Sequence, residues 1–351
     1  MWNLVRNWYR EKFSDPQAVT LTVILLAGFA LIYFYGNLLM PLLVAVVLAY
    51  MLEWPVAKMA VLGIPRVVAA SLVLLLFLLV MVLMVLVMLP ALWRQGVSLM
   101  AELPAMVSQW QGLLMTLPEQ YPTIIDQNQL ANLVSGFNNS LLKAGQGLVS
   151  MSIASLVDLV ALMVYAILVP LLLFFLLKDK EQLMASLSRF IPQNRELANQ
   201  VAGEMNVQIG NYIRGKVIEI LIVGTSSFIV FFTMELRYAA LLSVLVGLSV
   251  LIPYIGATVV TLPVALVAFF QWGISPQFGY LLLAYGIIQA VDGNILVPLL
   301  FSEAVNLHPV AIIVSVLIFG GLWGFWGVFF AIPLATLVKA VINAWPTGAV
   351  R

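Results

Sequence analysis

The stretch Val250-Leu251-Ile252-Pro253-Tyr254-Ile255-Gly256 interrupts an apolar segment, 238–271, of 34 residues. A second apolar segment, 308–345, has 38 residues and is interrupted by Phe319-Gly320-Gly321-Leu322-Trp323-Gly324-Phe325-Trp326-Gly327. As single straight helices these would measure about 50–57 Å at ~1.5 Å per residue, far more than the ~30 Å hydrocarbon core of a bilayer. Proline and clustered glycine stand near the middle of each, where they break regular helix. Each segment then resumes with a similar phrase, Thr261-Leu262-Pro263-Val264-Ala265-Leu266-Val267 and Ala331-Ile332-Pro333-Leu334-Ala335-Thr336-Leu337, a weak internal repeat. Unwound backbone at membrane depth must be buried in protein or line a cavity, and broken helices at corresponding places in two halves mark secondary transporters. Two architectures fit these segments: re-entrant hairpins of two half-helices, or long kinked helices packed through glycine.

The rest of the chain agrees with a membrane setting. Of 351 residues, 63% are apolar and 9% are charged, against about 25% charged in an ordinary soluble domain. So few polar groups cannot cover a water-facing surface, and a soluble globule is excluded. The expectation is an all-α polytopic membrane protein with eight hydrophobic segments: 17–35, 37–52, 67–93, 152–177, 217–234, 238–271, 278–300 and 308–345. In that arrangement Arg6, Arg10, Lys12, Lys58, Arg66, Lys178, Lys180, Arg189, Arg195, Arg214, Lys216, Lys339 and Arg351 share one side. Arg94, Lys143 and Arg237 take the other. The positive-inside rule then puts both termini in the cytoplasm of a bacterial inner membrane.

Five regions follow. Residues 1–93 hold a short interfacial helix, with Trp2, Val5, Trp8, Tyr9 and Phe13 near helical spacing beside basic residues, and the first three membrane segments. Ser14-Asp15-Pro16 supplies a cap and a proline suited to start the first span. Residues 94–151 are less hydrophobic and form an extracytoplasmic helical insert, punctuated by Pro104, Pro118 and Pro122. Residues 152–177 are the fourth membrane segment, 178–216 cytoplasmic amphipathic helices broken at Ile191-Pro192, and 217–351 the membrane core with the broken helices.

Whole classes of chemistry are excluded. There is no Cys and a single His, His308, so thiolate and polyhistidine metal sites are absent. The net charge of +1 recruits no nucleic acid. There is no nucleophile elbow, phosphate-binding loop or dinucleotide fingerprint, so the chain is expected to be no enzyme, to hold no catalytic residue or metal, and to need no cofactor. His308, before Pro309, suits a helix cap. Coupling to H⁺ or Na⁺ is compatible with this residue set.

An ionisable side chain inside a bilayer is costly and marks function by default. Asp292 is the leading candidate, mid-way along its segment, with Gln289 one turn earlier on the same face and Gly293, Asn294 and Pro298 interrupting the helix after it. A carboxylate, an amide and freed carbonyls together could hold a polyol, coordinate Na⁺ or exchange a proton. The expected path has the breaks at Pro253–Gly256 and Gly320–Gly327 forming a central cavity. Asp292, Gln289, Gly293 and Asn294 face it, with Pro253, Tyr254 and Gly256 at the first break and Tyr254 stacking or gating. Asp158 is a secondary candidate. Glu219 is another, expected to pair with Lys216 near the cytoplasmic surface.

Leu177-Lys178-Asp179-Lys180-Glu181-Gln182, Asn211-Tyr212-Ile213-Arg214-Gly215-Lys216, Leu251-Ile252-Pro253-Tyr254-Ile255-Gly256, Asp292-Gly293-Asn294, His308-Pro309 and the Gly320–Thr336 stretch together resemble the autoinducer-2 exporter family. The likeness spans essentially the whole chain and leans to the family's PerM-type permease branch. It implies an inner-membrane transport protein with about eight hydrophobic segments, assembled as a homo-oligomer, with a pentamer as the family's suggestion. Members are associated with export of the furanone signal autoinducer-2 and with Na⁺(Li⁺)/H⁺ antiport. The expected activity is export of a small polar organic solute, autoinducer-2 or a related metabolite. The alternatives are an antiporter using Asp292 and a membrane scaffold without transport.

Overall fold

The computed structural model describes residues 16–120, 156–189, 196–301 and 307–344. The expected interfacial helix 2–13, most of the insert beyond residue 120 and the Ile191-Pro192 break lie outside these residues. What is described is helical: α1 (Pro16–Val61), α2 (Arg66–Gln120), α3 (Leu156–Lys178), α4 (Lys180–Ser188), α5 (Glu196–Thr233), α6 (Ala239–Ser249), α7 (Ile255–Trp272), α8 (Pro276–Val291), α9 (Val297–Phe301), α10 (Pro309–Phe329) and α11 (Ala331–Ala344). A π-helical turn, Asp292–Leu296, joins α8 to α9. Among the described residues, seven stretches are long and apolar enough to span a bilayer. An eighth is the pair α3 and α4, bent by 84°. The protein is therefore a polytopic all-α membrane protein. On α2 every side chain from Leu79 to Val87 is exposed, which water would not tolerate and lipid does.

Helix ends follow local chemistry. α10 begins at Pro309, where the missing N–H costs nothing. His308 caps α10, its Nδ1 accepting from the Val310 amide at 3.3 Å. Two helices run through points where the sequence suggested boundaries: α2 passes without interruption across 93–94, and α5 across 216–217.

α1 contains both of the first two expected segments, and it is bent between them. Gln17 Oε1 accepts from the Leu197 amide and the Tyr50 hydroxyl donates to Asn206 Oδ1. Gln17 and Tyr50 would stand about 50 Å apart on a straight helix, whereas Leu197 and Asn206 are about 14 Å apart along α5. The bend falls near Gly36-Asn37 and Pro41, between the two stretches of span composition, Val19–Gly36 and Leu38–Val61. At the other end of the second arm, Arg66 Nη2 donates to both Glu53 carboxylate oxygens at 2.9 Å and Arg66 Nε to the Leu177 carbonyl at 2.9 Å. Lys180 reaches Glu53 at 3.0 Å. This cluster ties the α1–α2 corner to the end of α3.

Both long segments are hairpins. At the base of the first, the Gln271 amide donates to the Glu235 carbonyl and accepts from the Arg237 amide, each at 2.7 Å. The end of α7 therefore sits beside the start of α6. At the tip, Tyr254 takes φ 63° and Gly256 packs against the Ser249 carbonyl, where a Cβ would overlap that oxygen. In the second, Gly324 has φ 59° and ψ −133° inside α10, and Gly327 packs against the Phe319 carbonyl. Ile312 and Ile332 share one core cluster with Tyr212, although a straight helix would hold them about 30 Å apart. The kinked-helix alternative is excluded.

Each hairpin uses α5 as its wall. α6 crosses α5 closely because Gly247 faces Gly224, where a Cβ on Gly247 would lie 3.0 Å from the Gly224 Cα. Small residues at such crossings let backbones approach within the membrane. The first hairpin is based at the C-terminal end of α5, while α11 packs Ala340 against Val201 and Met205 near its N-terminal end. The two hairpins are thus anchored toward opposite ends of one helix. One consequence is testable in a chain without native Cys: single cysteines at Arg237 and at Ser275 are expected to react with an impermeant thiol reagent from the same side. Opposite sidedness would contradict the hairpin.

Candidate functional site

The middle of α5 meets the broken backbone of both hairpins. Tyr212 and Lys216 are one helical turn apart on one face. The Tyr212 hydroxyl donates to the Phe329 carbonyl at 2.8 Å, where α10 gives way to α11. Lys216 Nζ donates to the Val250 carbonyl at 2.8 Å, where α6 ends at the first tip. A helix C-terminus leaves carbonyls without intrahelical partners. Both side chains supply a donor to backbone that lipid could not satisfy.

Lys216 also pairs with Glu219, Nζ to Oε2 at 2.8 Å, and the two side chains are 5% and 2% exposed. Its ammonium lies 5.1 Å from the centre of the Phe301 ring. Phe301 in turn packs against Tyr212, with ring centres 5.8 Å apart. Gly215 makes room for that ring, since a Cβ there would come within 2.6 Å of it. Glu219 was expected near the cytoplasmic surface. It is instead enclosed, because α5 continues unbroken through Lys216 and carries it about 21 Å from the Thr233 end.

Asp292 completes the cluster. It begins the π-turn, which packs against α5, and its side chain is buried with Oδ1 lacking a partner. The π-turn places it against α5, the helix that carries Lys216 and Glu219. With all three ionised, two carboxylates face one ammonium. One negative charge is left over in a region where a net charge is costly. Gln289, one turn earlier, also has its amide nitrogen buried without a partner.

The other expected path residues are distributed differently. Asn294 is exposed and its amide donates to the Ala290 carbonyl at 2.8 Å, within its own helix. Gly293 is exposed, and Tyr254 projects from the tip with 56% exposure. Pro253 is half-buried and Gly256 is buried at the turn. Asp158 falls in the first turn of α3, and its side chain lies outside the described residues. A cavity of about 580 Å³ does adjoin the second hairpin, between α1, α5 and the residues Leu322–Leu337. It is walled by Tyr33, Phe34, Tyr50, Trp323, Trp326 and Phe330, and neither Asp292 nor the first tip lines it.

Sequence reasoning missed Lys216 and Tyr212 as members of the site. The signal was there: Tyr212, Lys216 and Glu219 fall on one face, and no breaker separates them from the apolar run ending at Thr233.

Comparison with known proteins agrees with this architecture. The model of the AI-2E family transporters matches residues 22–347. The chain is 53% identical over 350 residues to "Putative permease PerM" of Escherichia coli K12, covering 100% of this chain and 99% of that one. It is 27% identical to "Putative transport protein YueF" of Bacillus subtilis 168, covering 88% and 84%. A polytopic helical membrane protein with two broken hairpins around a buried charged cluster, matched by one family model over nearly its whole length, belongs to the AI-2E transporter family.

Proposed function

We propose that this membrane transporter is a secondary carrier that exports a small polar organic solute, autoinducer-2 or a related sugar-like metabolite, across the bacterial inner membrane, coupled to a proton. The observation that carries the reading is the burial of two carboxyl groups, Asp292 and Glu219, with a single amine, Lys216, beside the end-of-helix Val250 carbonyl. Such a site is neutral only when one proton or monovalent cation is added, which gives a carrier a reason to couple. The aromatic cavity beside the second hairpin supports an organic solute, because sugar-like rings pack on aromatic faces and its walls carry no charged side chain.

The test is efflux from proteoliposomes loaded with autoinducer-2 and a pH dye. Wild-type protein is expected to release solute with a proton flux. Asp292→Asn, which is isosteric and removes the titrating group, is expected to bring coupled efflux down to that of empty vesicles. Unchanged efflux from properly inserted Asp292→Asn protein would remove the site. The same unpartnered acid oxygens favour a second reading, Na⁺(Li⁺)/H⁺ antiport. A pH change driven by an imposed Na⁺ gradient, without solute loss, would select it.

A further inference from the structure

We propose that Lys216 is a proton-controlled latch on the first hairpin: its ammonium holds the tip to α5 while Asp292 is neutral, and turns toward Asp292 when that carboxyl ionises, freeing the tip. The inference deepens the proton-coupled reading above and rests on it.

An ammonium has three donors. In the structure one donates to the Val250 carbonyl at 2.8 Å, Glu219 Oε2 is ion-paired with the ammonium at 2.8 Å, and the Phe301 ring covers the charge on another side. Asp292 begins a π-turn that packs against α5, the helix of Lys216, is 8% exposed, and has Oδ1 without a partner. When Asp292 carries a proton, Lys216 and Glu219 balance, and the spare donor capacity goes to the carbonyl. When the proton leaves for water, two carboxylates compete for one ammonium. Bonds to an ionised acceptor are roughly twice as strong as bonds to a neutral one. The Val250 carbonyl is the sole neutral acceptor of the three and is given up first.

Little else in the neighbourhood can compensate. From α5 the facing titratable groups are Glu219 and Tyr212, whose hydroxyl is committed to Phe329. From α8 comes Tyr285, within hydrogen-bond distance of Thr261 at 3.1 Å. α6, α7 and α9 contain no charged residue. Losing the Lys216 bond leaves the tip with the Gly256–Ser249 turn contact and, one turn below it, the Gly247–Gly224 crossing, so the polar tie of the tip to α5 is gone while the apolar one remains. Protonation of one carboxyl is thereby converted into movement of a hairpin whose other end is fixed by Gln271.

The experiment is a nitroxide attached to Tyr254→Cys in the otherwise Cys-free chain, reconstituted in lipid, with its mobility recorded from acid to alkaline pH. In the wild-type background the label is expected to become more mobile as pH rises. With Asp292→Asn it is expected to stay immobile throughout. With the charge-balanced double replacement Lys216→Met/Glu219→Met it is expected to be mobile throughout. A wild-type label indifferent to pH, or a pH response surviving in either variant, overturns the latch. Because this readout needs no solute, a failure of autoinducer-2 efflux with the label response intact would sink the proposed cargo and leave the latch standing.

Discussion

Lys216→Met alone is expected to destabilise the protein by about 3–5 kcal/mol, because it strands the Glu219 carboxylate in a site from which water is excluded. The Glu219 side chain is 2% exposed, and its Oε2 has no hydrogen-bond partner beyond the ion-pair contact with Lys216. The Val250 carbonyl loses its donor at the same time, a further cost of about 1–3 kcal/mol if nothing replaces it. Glu219→Met should cost less. The remaining ammonium keeps the Val250 carbonyl and the Phe301 ring and has Asp292 nearby as a second counter-charge. The double replacement Lys216→Met/Glu219→Met should recover most of the loss, since two apolar side chains of similar volume carry no desolvation penalty. Thermal unfolding in detergent, followed by the fluorescence of the nine tryptophans, measures all four proteins. Losses that simply add in the double variant would show that the two charges do not interact.

This cluster also shows where the sequence was legible. The Pro253–Gly256 and Gly320–Gly327 breaks and the cap at His308-Pro309 are local signals, and each appears in the structure where it was expected. Asp292 was conspicuous for the same reason, a carboxylate in an apolar run. Lys216 was not, because depth along a helix is not a local property. Beside Arg214 it reads as a cytoplasmic positive charge just before the apolar segment 217–234. Whether it lies at a surface depends on α5 beginning at Glu196 and on α6 and the π-turn closing over it. The choice between hairpin and kinked helix was equally non-local. It turns on Gln271 meeting residues 235–237, across 34 positions of sequence. Asn294 illustrates the converse error, since a π-turn shifts the register after Asp292 and turns the amide away from the buried face.

Gly256→Ala and Gly327→Ala are each expected to prevent the corresponding hairpin from closing, at a cost on the order of 3 kcal/mol. In both cases the obstacle is backbone. A Cβ on Gly256 would overlap the Ser249 carbonyl, and one on Gly327 the Phe319 carbonyl, and neither oxygen sits on a side chain that can rotate aside. Relief requires the arms to separate, which in the first hairpin pulls Val250 from Lys216 and in the second pulls Phe329 from Tyr212. Both substitutions therefore reach the charged cluster without altering a charge. Gly286→Ala and Gly293→Ala serve as matched controls, because a Cβ at either meets nothing within 4 Å. Yield of monodisperse protein after detergent extraction and the unfolding midpoint should fall for the first pair and hold for the second. A Gly256→Ala protein with a wild-type midpoint would mean that the chain does not reverse at Tyr254. The first hairpin, and the latch built on it, would fail together.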